Sequence, residues 1–270
     1  MTDIHADTQL TDLIRAVEEA DSAPTLARAV RHLALAQQVG AIPILIETLG
    51  YNNPGAAVAA VDGLVVLGEP AVEPLLQQLD SRNYTARAWA VRALAGIGDP
   101  RGLAILLETL ETDFAMSVRR AAARGLGNIR WHQMPSDQVA AGQKAALKAL
   151  LEASQDSEWI VRYAAVTALQ SLAIALYTPD ANPAKAELWE AIQQMCDRLI
   201  LKDDSLVVRG RAQYALKMIL LAQGQGENAD WYTTLERLYH RKAEERPVAE
   251  GDPRKFRAAA AAITLGQPLD

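Results

Sequence analysis

The sequence predicts an all-helical fold assembled from repeated helical hairpins, and three observations predict it. Alanine supplies fifty of the 270 residues; it is the best helix former, and its small side chain lets helices approach closely. Aromatic residues make up only 5% of the chain, with two phenylalanines in all, and β-branched residues are too sparse for an all-β core. The third observation is internal repetition, which organises everything else.

Five segments align: AAVAAVDGL (56–64), ARAWAVRAL (86–94), VRRAAARGL (118–126), VRYAAVTAL (161–169) and VRGRAQYAL (208–216). Each ends on a leucine seven residues beyond one fixed position, occupied in turn by Ala57, Arg87, Arg119, Arg162 and Arg209. The period is 30 and 32 residues at first and then lengthens to 43 and 47. A second apolar segment precedes each one: PILIETL (43–49), EPLLQQL (73–79), AILLETL (104–110), LKALLEA (147–153) and CDRLILK (196–202). In VRRAAARGL the inward set Val118, Ala122, Ala123 and Leu126 lies on one helical face. Each unit is therefore a helical hairpin, and stacked hairpins make an α-solenoid. The repeated Val-Arg…Ala-Ala…Leu pattern predicts a right-handed α-solenoid of about five to six HEAT-like repeats with a helical C-terminal extension.

Taken in order, residues 1–40 read as an N-terminal cap with a degenerate first repeat, helical over 8–38. Residues 41–221 read as the repeat solenoid. Pro43 and Pro100 stand at helix beginnings, where a missing N–H costs nothing, and Gly68-Glu69-Pro70 and Asp99-Pro100 mark turns between hairpins. The two longer periods are assigned to loops or short helical insertions at 133–143 and 177–187. Residues 222–270 read as a linker and helical tail, with helices near 231–245 and 254–265.

Three of the recurring arginines have an aspartate six residues upstream, giving Asp113/Arg119, Asp156/Arg162 and Asp203/Arg209. These read as a ladder tying neighbouring repeats. The outward positions of the second helices are less uniform and form a stripe of Trp89, Arg92, Arg120, Arg124, Tyr163, Arg211 and Tyr214. Second helices line the concave surface of such solenoids. Guanidinium groups grip carboxylates bidentately and aromatic faces stack on conjugated systems, so the stripe suits a planar anionic ligand or an acidic protein patch. Tyr51, Asn53, Tyr84, Trp131 and His132 lie in the loops beside it and read as a rim; Asn53 is also a helix cap and Trp131 a packing residue in the alternative reading.

Composition and motifs narrow the function classes. The formal net charge of −6 argues against a nucleic-acid protein. No run approaches 18 apolar residues and the first residues lack a leader pattern, so no membrane partner is expected. One cysteine excludes a disulfide or thiolate-rich site and suits a reducing, cytoplasmic setting. The four histidines, His5, His32, His132 and His240, have no metal-ligand spacing, so no metal is assigned. No GxSxG, phosphate loop or dinucleotide fingerprint occurs, and no catalytic residue is assigned. Cys196, among apolar neighbours, reads as a buried structural thiol.

The runs GYNNPGAAVAAVDGL (50–64), NYTARAWAVRALAGIGDPRGL (83–103), DFAMSVRRAAARGLGNIRW (113–131) and DSEWIVRYAAVTALQSL (156–172) resemble the HEAT-repeat phycobilin lyases. The likeness points in particular to F-type subunits of the E/F-type phycocyanobilin lyase and covers about residues 10–220. It implies a partner-dependent enzyme: a heterodimer with an E-type subunit attaches phycocyanobilin by a thioether bond to a cysteine of the phycocyanin α-subunit. It implies no permanently bound cofactor, with phycocyanobilin as substrate and the nucleophile on the acceptor. On this reading Arg92, Arg120 and Arg124 pair with propionates, and Trp89 and Tyr84 stack on the bilin. The His- and Cys-containing motif of the isomerising relatives is missing. The alternative class is a non-enzymatic scaffold or chaperone, in phycobilisome assembly or disassembly or beside an iron–sulfur scaffold protein.

Overall fold

The computed structural model describes residues 2–79, 82–176, 183–224, 232–234 and 236. Twelve helices occur among them, and no strand. They pair as six hairpins within the unit Met1–Asn228: α1 (Thr2–Glu18) with α2 (Ala23–Leu35), α3 (Ile42–Thr48) with α4 (Pro54–Leu67), and α5 (Val72–Gln78) with α6 (Tyr84–Ile97). The others are α7 (Leu103–Thr112) with α8 (Met116–Asn128), α9 (Ser136–Ala153) with α10 (Trp159–Leu176), and α11 (Pro183–Lys202) with α12 (Leu206–Ala222). The second helices α2, α4, α6, α8, α10 and α12 pack side by side in chain order. The first helices form the opposing layer, which gives an α-solenoid. Of the second unit, Ala229–Asp270, residues 232–234 and 236 are helical; the rest of the predicted tail lies outside the described residues.

Local chemistry sets the helix ends. Ser22 and Thr25 form a capping box at α2. Asn53 and Asn83 each accept a hydrogen bond from the amide three residues on, at 3.1 and 3.2 Å, and so start α4 and α6. Gly98 ends α6 at φ 71°, where a Cβ would also lie 2.3 Å from the Asn128 carbonyl oxygen.

The alanine excess has a packing reason. Gly63 sits against Ala34 and Gly125 against Ala95, with a hypothetical Cβ only 2.6 and 2.7 Å from those methyl groups. Small residues on both sides let adjacent second helices close up, leaving Leu64, Leu94, Leu126 and Leu169 buried behind them.

The longer periods differ from expectation. Residues 136–143 are the opening turns of α9, and 183–187 open α11; residues 177–182 lie outside the described residues. The extra sequence lengthens the first helices of the last two hairpins, because alanine-rich segments extend a helix at less cost than they form a loop. The helix α10 also departs from the sequence reading: its mean hydropathy of 1.5 makes it long and apolar enough by composition to cross a bilayer. It packs between α8 and α12 and carries the ion-paired Arg162, the behaviour of a central core helix.

The arginine ladder is present, with a different pairing. Arg119 donates to both carboxylate oxygens of Asp156, at 2.8 and 3.0 Å, and to the carbonyls of Asp113 and Phe114. Arg162 repeats the pattern with Asp203 and the carbonyls of Asp156 and Ser157, and adds Asp204. Each arginine thus takes the main chain of its own turn and the carboxylate of the next repeat. Each aspartate also accepts from the amide two residues on, which fixes the start of the following helix. The ladder ends at Arg209, which donates to the Ile200 carbonyl. At its beginning the Tyr84 hydroxyl donates to Asp113, at 2.9 Å.

Candidate functional site

Three successive second helices build a groove of about 550 Å³. Val61, Val65 and Val66 of α4 and Ala95 and Gly96 of α6 make its apolar surface. Arg92 comes from α6, Arg120 and Arg124 from α8, and Asp62 faces in from α4. The arginine positions follow from helical period: Arg120 and Arg124 are four residues apart on one face, and Arg92 stands on the neighbouring helix.

These arginines differ from those of the ladder. Among the described residues, none of Arg92, Arg120 and Arg124 has a carboxylate within ion-pair distance. Arg92 donates to the Ser117 hydroxyl at 3.0 Å and lies over the Trp89 ring, 4.3 Å from its centroid. Burial and the neighbouring Arg120 charge hold the Arg92 guanidinium below its ordinary pKa. Three guanidinium groups round an apolar floor, opposed by one carboxylate, make a place for an anion with a large apolar body.

The predicted stripe divides in two. Trp89 supports Arg92 from beside the groove. Tyr163, Arg211 and Tyr214 lie on α10 and α12, apart from it. Arg211 is buried, 6% exposed, and donates to the Thr167 hydroxyl and the Gln170 side-chain oxygen, both at 2.8 Å. Its guanidinium sits 5.9 and 5.3 Å from the ring centroids of Tyr163 and Tyr214. This corrects its placement on an open face. The middle outward position is buried on three of the second helices: Ala59 of α4 and Ala164 of α10 are 5% and 2% exposed, and Arg211 holds that position on α12, where it bonds to Thr167 and Gln170 of α10.

The rim divides as well. Asn53 is buried as the cap of α4, and its amide nitrogen donates to the Ala23 carbonyl at 2.8 Å, so both ends of its side chain are engaged in the fold. Tyr51 donates to Glu47 at 2.7 Å, and burial, followed by that bond, pushes its phenol up to about 12. Tyr84 stacks on Phe114 with centroids 4.9 Å apart; burial and its bond to Asp113 raise it to about 12. Trp131 packs on Gly142 at the start of α9, a packing role, while His132 beside it is exposed. None of these five residues lines the groove. Sequence reading missed the floor residues Val61, Val65, Ala95 and Gly96; the one available signal was their spacing from Asp62 and Arg92 along α4 and α6.

Cys196 is fully buried, and burial, then the charge of Asp197, pushes its thiol up to about 12. It is no nucleophile at neutral pH.

A model of HEAT repeats matches residues 72–170. The chain is 51% identical to the phycocyanobilin lyase subunit beta of Pseudanabaena tenuis, over 95% of this chain and 98% of that protein. That alignment extends into the tail beyond Leu220. A protein of Synechocystis sp. named phycocyanin alpha phycocyanobilin lyase CpcF is 54% identical over 61% of this chain and 77% of its own length. Among solved structures, the complex of CpcE and CpcF of phycocyanin lyase from Nostoc sp. PCC7120 matches at TM-score 0.56 and 45% identity. It covers 69% of this chain and 99% of that one.

Proposed function

The chain belongs to the HEAT-repeat phycobilin lyase family, and from that premise we propose that its arginine groove holds phycocyanobilin during transfer to phycocyanin. It is the F-type, or beta, subunit of a phycocyanobilin lyase, works with an E-type subunit and acts on the phycocyanin α-subunit. The observation that carries the site is the set of guanidinium groups without carboxylate partners round an apolar floor. An open-chain tetrapyrrole has two propionates and a conjugated apolar body, and so complements both parts.

The chemistry asks little of this chain beyond binding and orientation. Addition of a thiol across an exocyclic double bond forms one C–S and one C–H bond and releases no leaving group. The acceptor cysteine supplies the thiol, consistent with a lyase chain whose own cysteine is buried as a neutral thiol. Arg92, Arg120 and Arg124 fix the propionates, and the valine and alanine floor excludes water from one face of the conjugated system. Holding the reacting carbon toward an incoming thiol converts a random encounter into an oriented one. Phycocyanobilin enters as substrate, and the reaction runs in the reducing cytoplasm, where acceptor thiols persist.

Absorbance titration with phycocyanobilin, on the full chain alone and with its E-type partner, tests this reading. Binding changes the bilin spectrum; a spectrum unaltered by either preparation refutes it and leaves a scaffold role.

A further inference from the structure

The groove does not end at α4. A second cleft of about 300 Å³, between α2 and α4, shares Asp62 and Val66 with it. Its walls differ in kind: Leu35, Val58 and Val66 are 69%, 47% and 60% exposed and leave an unusual amount of apolar surface in one place. Gln37 and Arg31 line the same cleft.

Gln37 is the exceptional residue. It follows the last turn of α2 at φ 50°, alone among the described non-glycine residues in the left-handed region. Glycine or asparagine is the usual occupant of that position, since the Cβ of an L residue crowds the backbone there and asparagine offsets this by local hydrogen bonding. Its side-chain amide has no protein partner among the described residues. Gln37 is exposed, so its amide donor and acceptor face solvent from the cleft wall and are open to a ligand, while the left-handed backbone fixes where the side chain starts.

We infer that the α2–α4 cleft is the subsite for one terminal lactam ring of the tetrapyrrole, recognised by the Gln37 amide. This rests on the reading of the arginine groove as the bilin site. Propionates belong to the two inner rings of a bilin, so anchoring them at Arg92, Arg120 and Arg124 sends an outer ring along the row of second helices. Neighbouring helices stand roughly 8–10 Å apart, so the α2–α4 cleft lies about one helix spacing beyond the α4–α6 floor, within reach of an outer ring when the inner rings rest on that floor. An outer ring is a lactam, with one N–H and one C=O on adjacent atoms, and a primary amide complements that pair. Leu35, Val58 and Val66 cover the ring substituents.

The test separates fold from binding. Gln37→Gly relieves the strained backbone, so the melting temperature of the full chain stays level or rises; Gln37→Asn keeps an amide that tolerates this conformation but shortens its reach. Each variant, with its E-type partner, is titrated with phycocyanobilin and with a dipyrrin dipropionate, which has the two inner rings and no lactam. Both substitutions weaken phycocyanobilin binding about three- to tenfold, the loss of one or two neutral hydrogen bonds, and leave dipyrrin binding unchanged. Phycocyanobilin affinity indifferent to both, or an equal loss for both ligands, overturns the subsite. Failure of the unsubstituted complex to bind phycocyanobilin overturns the groove reading and the subsite with it.

Discussion

Replacing Arg120 and Arg124 together by alanine separates the groove from the scaffold. Both side chains project from α8 without a carboxylate partner, so their removal breaks no ion pair among the described residues. Loss of Arg120 also takes away a like charge beside the half-buried Arg92. The melting temperature therefore stays level or rises slightly. Binding responds in the opposite sense. A charge-assisted contact contributes about 1.5–3 kcal/mol when shielded, and Arg124 is exposed, so solvent screening reduces its share to about 1 kcal/mol or less. The pair sums to roughly 2–4 kcal/mol, which weakens phycocyanobilin binding about thirty- to several-hundredfold. Added salt lowers the affinity of the unsubstituted protein and narrows the gap to the variant. The assay is absorbance titration at two ionic strengths, with circular dichroism melts on the same samples. Arg162→Ala is the control: at equal folded fraction it retains near-normal affinity. Unchanged affinity in the double variant, or a larger binding loss in Arg162→Ala after correction for folding, refutes the assignment of the groove.

The ladder arginine has its own signature. Arg162→Ala strands Asp203, whose side chain is 2% exposed, and costs about 3 kcal/mol; the melt drops by roughly 6–12 °C, and a drop under 2 °C contradicts a buried pair. Acid acts on the same device. Burial pushes the Asp156 carboxyl up, but the Arg119 bond, the Glu158 amide and nearby guanidinium charges hold it below its ordinary value. Its stabilisation is therefore complete above the unfolded pKa, about 3.9, and fades as pH falls through the depressed folded value. Asp156→Asn makes the melt less steep in pH below about 4, and a profile parallel to the unsubstituted protein contradicts this. Cys196→Ala leaves chromophore attachment intact at equal folded fraction, measured as covalent bilin on the acceptor. Loss of attachment in a folded variant places that thiol in the chemistry.

Much of this molecule is legible along the chain. The 30- and 32-residue spacing of Ala57, Arg87 and Arg119 and of the leucines behind them specifies paired helices, because one apolar face per helix needs a partner. Asn53 before Pro54 declares a helix start, and the structure engages that side chain in the cap. The outward phase of Arg92, Arg120 and Arg124 also follows from counting residues, since each side chain's direction about its own axis repeats every 3.6 positions.

Tertiary structure decided what stands opposite each side chain. Helical phase cannot tell whether Arg119 closes on the aspartate six residues before it or on Asp156 of the next repeat; the stacking of hairpins selects Asp156. The same stacking buries Arg211, which shares a register position with Ala59, and leaves Arg124 open. It sets Val61, Val65 and Gly96 as a floor beneath the three arginines, and brings Gln37 to a cleft that runs into theirs. A one-dimensional repeat records the direction of each residue. The site arises from differences between neighbouring repeats, and these meet only when the helices pack.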